Sequence, residues 1–232
     1  MATNAEINAF IKTLGNLAIA ECNRRIKAGK GFVVPSVCIG QSAHETGWGD
    51  SALMKKANAF FGIKAGGSWT GKVFRADTWE MADGESYNTV ANFRAYDSLA
   101  DSVADYYSLI CDNPRYANAV STHPDDVKSA YDTLYAIWAG GYATDEEYVP
   151  HVWNLMNGRN LQQFDDKVDG VTIPGADTGT EDATVDQIDY IPAISIVDNP
   201  LYTFQKVDKL VVPVVPDPTP DVNGGSGGST DF

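Results

Sequence analysis

Gln41-Ser42-Ala43-His44-Glu45-Thr46-Gly47-Trp48-Gly49 is the stretch from which the rest of the chain is best read. At its centre an acid, Glu45, stands among small, apolar and aromatic residues. A carboxyl in such surroundings loses solvation on ionising, so its pKa rises and its proton is available for general acid chemistry. Upstream, Pro35 suits the first turn of a helix running through Val37, Cys38, Gln41 and Ser42 to Glu45, and Gly47-Trp48-Gly49 ends it. Glu45 then lies at the negative end of the helix dipole, which also favours the protonated carboxyl.

Working outward, Ile7, Phe10, Ile11, Leu14, Leu17 and Ala18 have helical spacing, with Asn4 as cap and a stop at Gly29–Gly31. Ser51 to Ala57 reads as a short helix, followed by an irregular aromatic stretch from Asn58 to Lys64. Between Val73 and Tyr96 the period changes. Val73–Met81 and Tyr87–Phe93 are rich in β-formers, and Asp83-Gly84 between them signals a hairpin. Helical spacing returns at Leu99, Val103, Tyr106, Tyr107 and Ile110, continues around Tyr116–Val120, and resumes from Asp125 through Tyr131, Leu134, Ile137 and Trp138 to a stop at Gly140-Gly141. A last helix carries Tyr148, Val149, Val152, Leu155 and Met156, with Pro150 in its first turns. The expected fold class is therefore mainly α with a small β-hairpin lobe, that is, α+β.

From about Leu161 the periodicity dissolves. Two regions are expected: a folded domain over residues 1–160, and an acidic Pro/Gly-rich tail, linker or partner-binding segment over 161–232, extended and largely irregular. Leu201 to Val215 could extend, but its prolines bar it from a central strand, and the Gly/Ser-rich end reads as linker.

Composition narrows the partners. With 232 residues, 44% of them hydrophobic and 11% aromatic, the chain can build a substantial core. From Asp165 onward there are 13 acidic residues against three lysines, so this segment holds 10 of the 14 net negative charges. Such a charge opposes electrostatic attraction to nucleic acid or to anionic membranes. No stretch has the length of a membrane-spanning helix, and the N-terminus lacks a basic segment followed by an apolar run, so no signal peptide is expected. Cys22, Cys38 and Cys111 are odd in number and lack close-pair spacing, and are read as reduced and mostly buried.

Residue chemistry points to carboxylates flanked by aromatics. His44-Glu45 is not a zinc-protease signature, because the position four after His44 is Trp48. His123 and His151 have no ligand-spaced partners, no phosphate loop is present, and neither metal nor cofactor is implied. Glu80, in Thr78-Trp79-Glu80-Met81, shares a strand face with Thr78. Asp145 follows Tyr142-Ala143-Thr144 at the start of the last helix. Two acids flanking a groove lined by aromatics is what glycoside hydrolysis requires, and aromatic rings pack on the apolar faces of sugars. Asp145 is equally suited to cap the helix, and Glu80 to be one more exposed strand residue.

Taken in order, Gln41–Gly49, Asn58 with Phe61-Gly62-Ile63-Lys64, Thr78-Trp79-Glu80 before Gly84, Phe93-Arg94-Ala95-Tyr96-Asp97-Ser98 and Gly141-Tyr142-Ala143-Thr144-Asp145 resemble the motifs of the bacterial and phage endo-β-N-acetylglucosaminidases, glycoside hydrolase family 73. The resemblance spans about residues 5–158. It implies a lysozyme-like domain whose cleft binds the glycan strands of peptidoglycan and cleaves the β-1,4 bond after N-acetylglucosamine. It assigns Glu45 as general acid, Glu80 as the second acid, Tyr142 as support for the substrate's N-acetyl group, and Asp145 as the structural acid of the same motif. Asn58, Phe61 and Tyr148 would line the cleft, with Trp79 beside Glu80 against substrate. This chain departs from the pattern at His44, where an apolar residue is usual, and at Trp79. Muramidase or lytic transglycosylase action on the same fold remains open. So does a phage virion component in which residues 161–232 bind tail proteins and the glycosidase is secondary or inactive. With no signal peptide expected, delivery to the cell wall would be by holin-type lysis or within a phage particle.

Overall fold

The computed structural model describes residues 2–66, 68–82 and 85–172, without the side chains of 78–82 and 85–88. Helix α1, Asn4–Lys27, is held at its start by a capping box between Thr3 and Glu6, so the cap lies one residue before the expected Asn4. It buries Ile7, Phe10, Ile11, Leu14, Ala18 and Cys22.

The structure is centred on α2, Pro35–Thr46, in which every residue from Pro35 to Ala43 is buried. Helix α2 packs against α1, against α6 (Tyr148–Gly158) and against a 3₁₀ helix at Leu161–Lys167. A helix buried on all sides belongs in a core, its polar Ser36, Gln41 and Ser42 being hydrogen-bonded there, and this one carries Glu45 in its last turn. Gly47, Trp48 and Gly49 then take positive φ in succession, 62° at Trp48, which turns the chain sharply away. Trp48 is held in that conformation by an edge contact with Phe10 and by the Arg159 guanidinium over its ring.

After α3, Ala52–Ala57, the chain forms the antiparallel hairpin β1, Lys72–Ala82, and β2, Glu85–Ala95, in the expected place. Its expected turn at Asp83-Gly84 lies outside the described residues. The base of the hairpin is tied down from several sides. Arg94 N–H donates to the Ile63 carbonyl (2.8 Å) and Tyr96 N–H to that of Ala57 (2.9 Å). The Asn58 amide donates to the carbonyls of Tyr96 and Asp97. The Arg94 guanidinium pairs with both oxygens of Asp105 on α4, Leu99–Cys111.

Two other expectations are corrected. Helix α5 is Ala130–Ala139 and does not begin at Asp125: Ser129 caps it, and the preceding residues make a turn in which Asp126 N–H bonds to the His123 carbonyl. Regular structure also does not end at Leu161. Leu161, Phe164, Asp165 and Val168 are buried in the main core, so the packed domain extends past the expected boundary at 160. Tyr116 lies on a 3₁₀ helix, Pro114–Ala119. The three cysteines are free, Cys22 and Cys38 fully buried and Cys111 partly, as read from their spacing. Residues 173–232, including the possible extension at 201–215, lie outside the description.

Candidate active site

Glu45 is half-buried at the C-terminal end of α2. Burial pushes its carboxyl up to about 8, so it carries its proton at neutral pH. Two tyrosines from one later loop–helix segment stand close enough to feel its charge. The phenols of Tyr142 and Tyr148 lie well above their usual range, first through burial and then through Glu45. Their rings are 5.9 Å apart.

Local backbone chemistry places these tyrosines. At the end of α5 a side chain on Gly140 would put its Cβ 2.8 Å from the Arg115 carbonyl, and Gly141 has φ 84°. Only glycine fits this turn, which brings Tyr142 back against Tyr116. Asp145 then accepts a bond from the Glu147 N–H through its carboxylate, and from the Tyr148 N–H and the Trp138 indole through its carbonyl. It thus shapes the start of α6 without being the formal cap, which is Glu147.

Gln41, one helical turn before Glu45, joins buried groups from three helices. Its amide is bonded to the Tyr148 hydroxyl at 2.8 Å and to that of Tyr106 on α4. His44 adds an edge contact to Tyr148 (5.3 Å) and a near-parallel stack with His151 (6.3 Å, 29°). Burial, then His151, lowers the His44 pKa, while Asp145 opposes the shift.

The expected site residues therefore divide. Glu45, Tyr142 and Tyr148 come together, and Asp145 adjoins them, its carbonyl accepting from the Tyr148 N–H. Asn58 and Phe61 make other contacts. Asn58 sits at positive φ at the end of α3 with its amide donating to the carbonyls of Tyr96 and Asp97. Phe61 is 1% exposed and stacks on Tyr106 at 4.1 Å, so it supports Gln41's partner from inside the core. Trp79 and Glu80 pair with Asn88 and Tyr87 toward the far end of the hairpin, and their side chains lie outside the described residues. Gln41 and His151 also contribute, without a local signal that marks them. Gln41 lies in the quoted motif, one turn from Glu45, but its two tyrosine partners come from α4 and α6 and carry no local signature.

Residues 25–161 match the Glucosaminidase family, described as mannosyl-glycoprotein endo-beta-N-acetylglucosaminidase. The chain belongs to this family. Among glucosaminidase relatives, the peptidoglycan hydrolase FlgJ of Escherichia coli K12 is 35% identical over 134 residues, 56% of this chain and 41% of FlgJ. The exo-glucosaminidase LytG of Bacillus subtilis 168 is 28% identical over 137 residues, 59% of this chain and 48% of LytG. The chain thus spans less than half the length of these relatives. The catalytic domain of the Listeria monocytogenes autolysin Auto superposes with a TM-score of 0.58 at 31% identity, covering 71% of this chain and 90% of that domain. The mainly helical, lysozyme-like architecture with its two-stranded sheet is the glucosaminidase fold that the ordered motifs resemble.

Proposed function

We propose that the chain hydrolyses the β-1,4 bond after N-acetylglucosamine in peptidoglycan, with Glu45 as proton donor. The observation carrying this reading is the placement of Glu45, half-buried in the last turn of a core helix near two buried phenols, a setting in which burial raises its pKa to about 8. Glu45 passes its proton to the glycosidic oxygen as the C1–O bond breaks. The positive charge developing on the sugar is met by the substrate's own acetamido oxygen, supported by Tyr142, or by water activated by Glu80. The hydroxyl of water ends on C1, and its proton restores the acid. A short separation between the carboxyls suits attack by an enzyme group, and a long one leaves room for water.

Incubating the Glu45→Gln variant with purified sacculi tests this directly: release of reducing ends should fall to background in a protein that remains folded, and full activity would sink the assignment. In Glu80→Gln a small loss supports acetamido participation and a large one the water route. Mass spectrometry of the products distinguishes the neighbouring chemistries. Reducing-end N-acetylglucosamine supports the reading, whereas reducing-end N-acetylmuramic acid or anhydro sugar transfers it to muramidase or transglycosylase action.

The acidic segment beyond Asp165 favours a phage setting, either an endolysin released through a holin or a tail-associated lysin carried by the particle. Because residues 161–168 contribute to the core, contact with tail proteins falls to the segment that follows. Detection of the chain in purified virions supports the second route, and its restriction to lysates the first.

A further inference from the structure

Helix α5 has two apolar faces. Thr133, Leu134 and Ile137 point inward, whereas Tyr131, Tyr135 and Trp138, at i, i+4 and i+7, share the outer face. Among the described residues only four large hydrophobics are strongly exposed, and two of them are Tyr131 (45%) and Tyr135 (51%). Tyr131 meets Trp153 of α6 edge-on at 5.2 Å, and Tyr135 leans on Trp138 at 5.6 Å, so these rings are held in place by one another. A contiguous exposed aromatic surface of this kind marks a contact face.

The row connects to the active site through Asp145, whose carbonyl also accepts from the Tyr148 N–H at 3.2 Å. The Trp138 indole donates to that carbonyl at 2.9 Å, and Tyr148 in turn bonds to Gln41 and meets His44 edge-on at 5.3 Å. At 1.5 Å rise per residue the three positions advance by about 6 Å and about 4.5 Å along the helix axis, and the Tyr135 and Trp138 ring centroids lie 5.6 Å apart, so the rings form an elongated row suited to a linear polymer. Charge narrows the occupant further. From Ser129 to His151 there is no lysine or arginine, while Asp132, Asp145, Glu146 and Glu147 are all exposed. That field repels nucleic acid and anionic lipid and leaves the uncharged N-acetylhexosamine rings as the partner the aromatics suit.

We propose that Tyr131, Tyr135 and Trp138, backed by Trp153, form an accessory track on which the glycan strand lies beyond the bond being cleaved. This rests on the hydrolase reading above and extends it from the cleavage point to the polymer. The occupant is the saccharide backbone, held by stacking of ring faces on Tyr and Trp, not the peptide stems.

The test uses the full chain with Glu45→Gln, so that substrate is not consumed, with and without Y131A and Y135A together. Both tyrosines are exposed, and equal melting temperatures verify that the pair of changes leaves the fold intact. Cosedimentation is measured with sacculi and with insoluble chitin, an uncharged β-1,4 N-acetylglucosamine polymer. Retention on both should weaken about tenfold. Unchanged retention on both overturns the track, and loss on sacculi alone assigns the face to peptide stems and overturns it too. Sedimentation velocity of the protein alone supplies the remaining outcome: if the paired change converts a dimer to a monomer, the face binds a second copy and the proposal fails. Absence of cleavage by the native chain would instead count against the hydrolase reading, since retention is scored in a variant whose binding does not require turnover.

Discussion

The carboxylate of Asp165 accepts hydrogen bonds from both the backbone N–H (2.8 Å) and the hydroxyl (2.6 Å) of Ser36, 129 residues earlier. Helix α2 starts at Val34-Pro35, where no local side chain caps it. A distant acid fills that role, and the helix bearing Glu45 is thereby fixed at its far end by residues beyond the family match. Asp165 is buried, which pushes its carboxyl up to about 7 against the opposing effect of the two Ser36 bonds.

Removing that cap by Asp165→Ala should cost about 2 kcal/mol, combining a lost helix cap with buried donors left without their acceptor. Asp165→Asn keeps one acceptor and should cost less. Urea unfolding provides the measurement. A chain ending at residue 160 should likewise melt below one ending at 172, and equal melting would contradict a structural role for the 3₁₀ helix.

Glu45 predicts a pH signature of opposite direction to that of an ordinary surface acid. Its folded-state value of about 8 lies above the 4.5 of an unperturbed carboxyl, so between these limits the folded state binds the additional proton. Stability should fall as pH rises from 4.5 to about 8, and this component should vanish in Glu45→Gln. Asp165 contributes the same sign from 3.8 to about 7, so the informative quantity is the difference between native chain and Glu45→Gln in denaturation series across pH. Activity should decline as pH passes 8 and the acid ionises.

At the hairpin base, Asp105 pairs with Arg94 and accepts a bond from the Tyr96 hydroxyl at 2.6 Å, with both side chains of the ion pair only 19% exposed. Asp105→Ala leaves the guanidinium without its carboxylate and should destabilise by about 3 kcal/mol. The diagnostic is local. Amide exchange should accelerate along β2 more than in α1, and equal acceleration in both would argue against an anchoring role.

At Gly40 α2 lies tightly against α6: a Cβ there would lie 2.5 Å from Met156 Cγ and 3.2 Å from Val152 Cγ1. Gly40→Ala should cost about 1–3 kcal/mol through overpacking. In a double-mutant cycle with Met156→Ala, the combined change should cost less than the sum of the two, because the truncated side chain vacates the same space. Strict additivity would show that the helices adjust by another route.

Where a residue's job is set by neighbours in the chain, it could be read early. Pro35, Gly47 and the alternation in β1 and β2 delimit their elements by local rules, and Glu45 falls in the last turn of α2, where the proline and glycine around it place it. Where the job is set by a partner far away, no local pattern reveals it. Asp165 looked like one more acid in an acidic tail, because Ser36 lies 129 positions off. Phe61 is sealed in the core and Asn58 clips the hairpin base, contacts set by Tyr106 and Tyr96 much later in the chain. Asp125 was drawn into α5 because an apolar period tolerates extra turns, and only Ser129's bond to the Asp132 N–H fixes the start.

The amide of Gln41 has one further consequence. Its oxygen receives the Tyr106 proton and its nitrogen gives one to the Tyr148 oxygen, so the chain of bonds has a polarity, running from Tyr106 outward. Because Tyr148 is an acceptor at its inner side, its own O–H is not used in that chain. The interior thus sets the orientation of a donor beside the proposed acid before any substrate arrives, and a glutamine usually counted as packing acts as the compass for a hydroxyl.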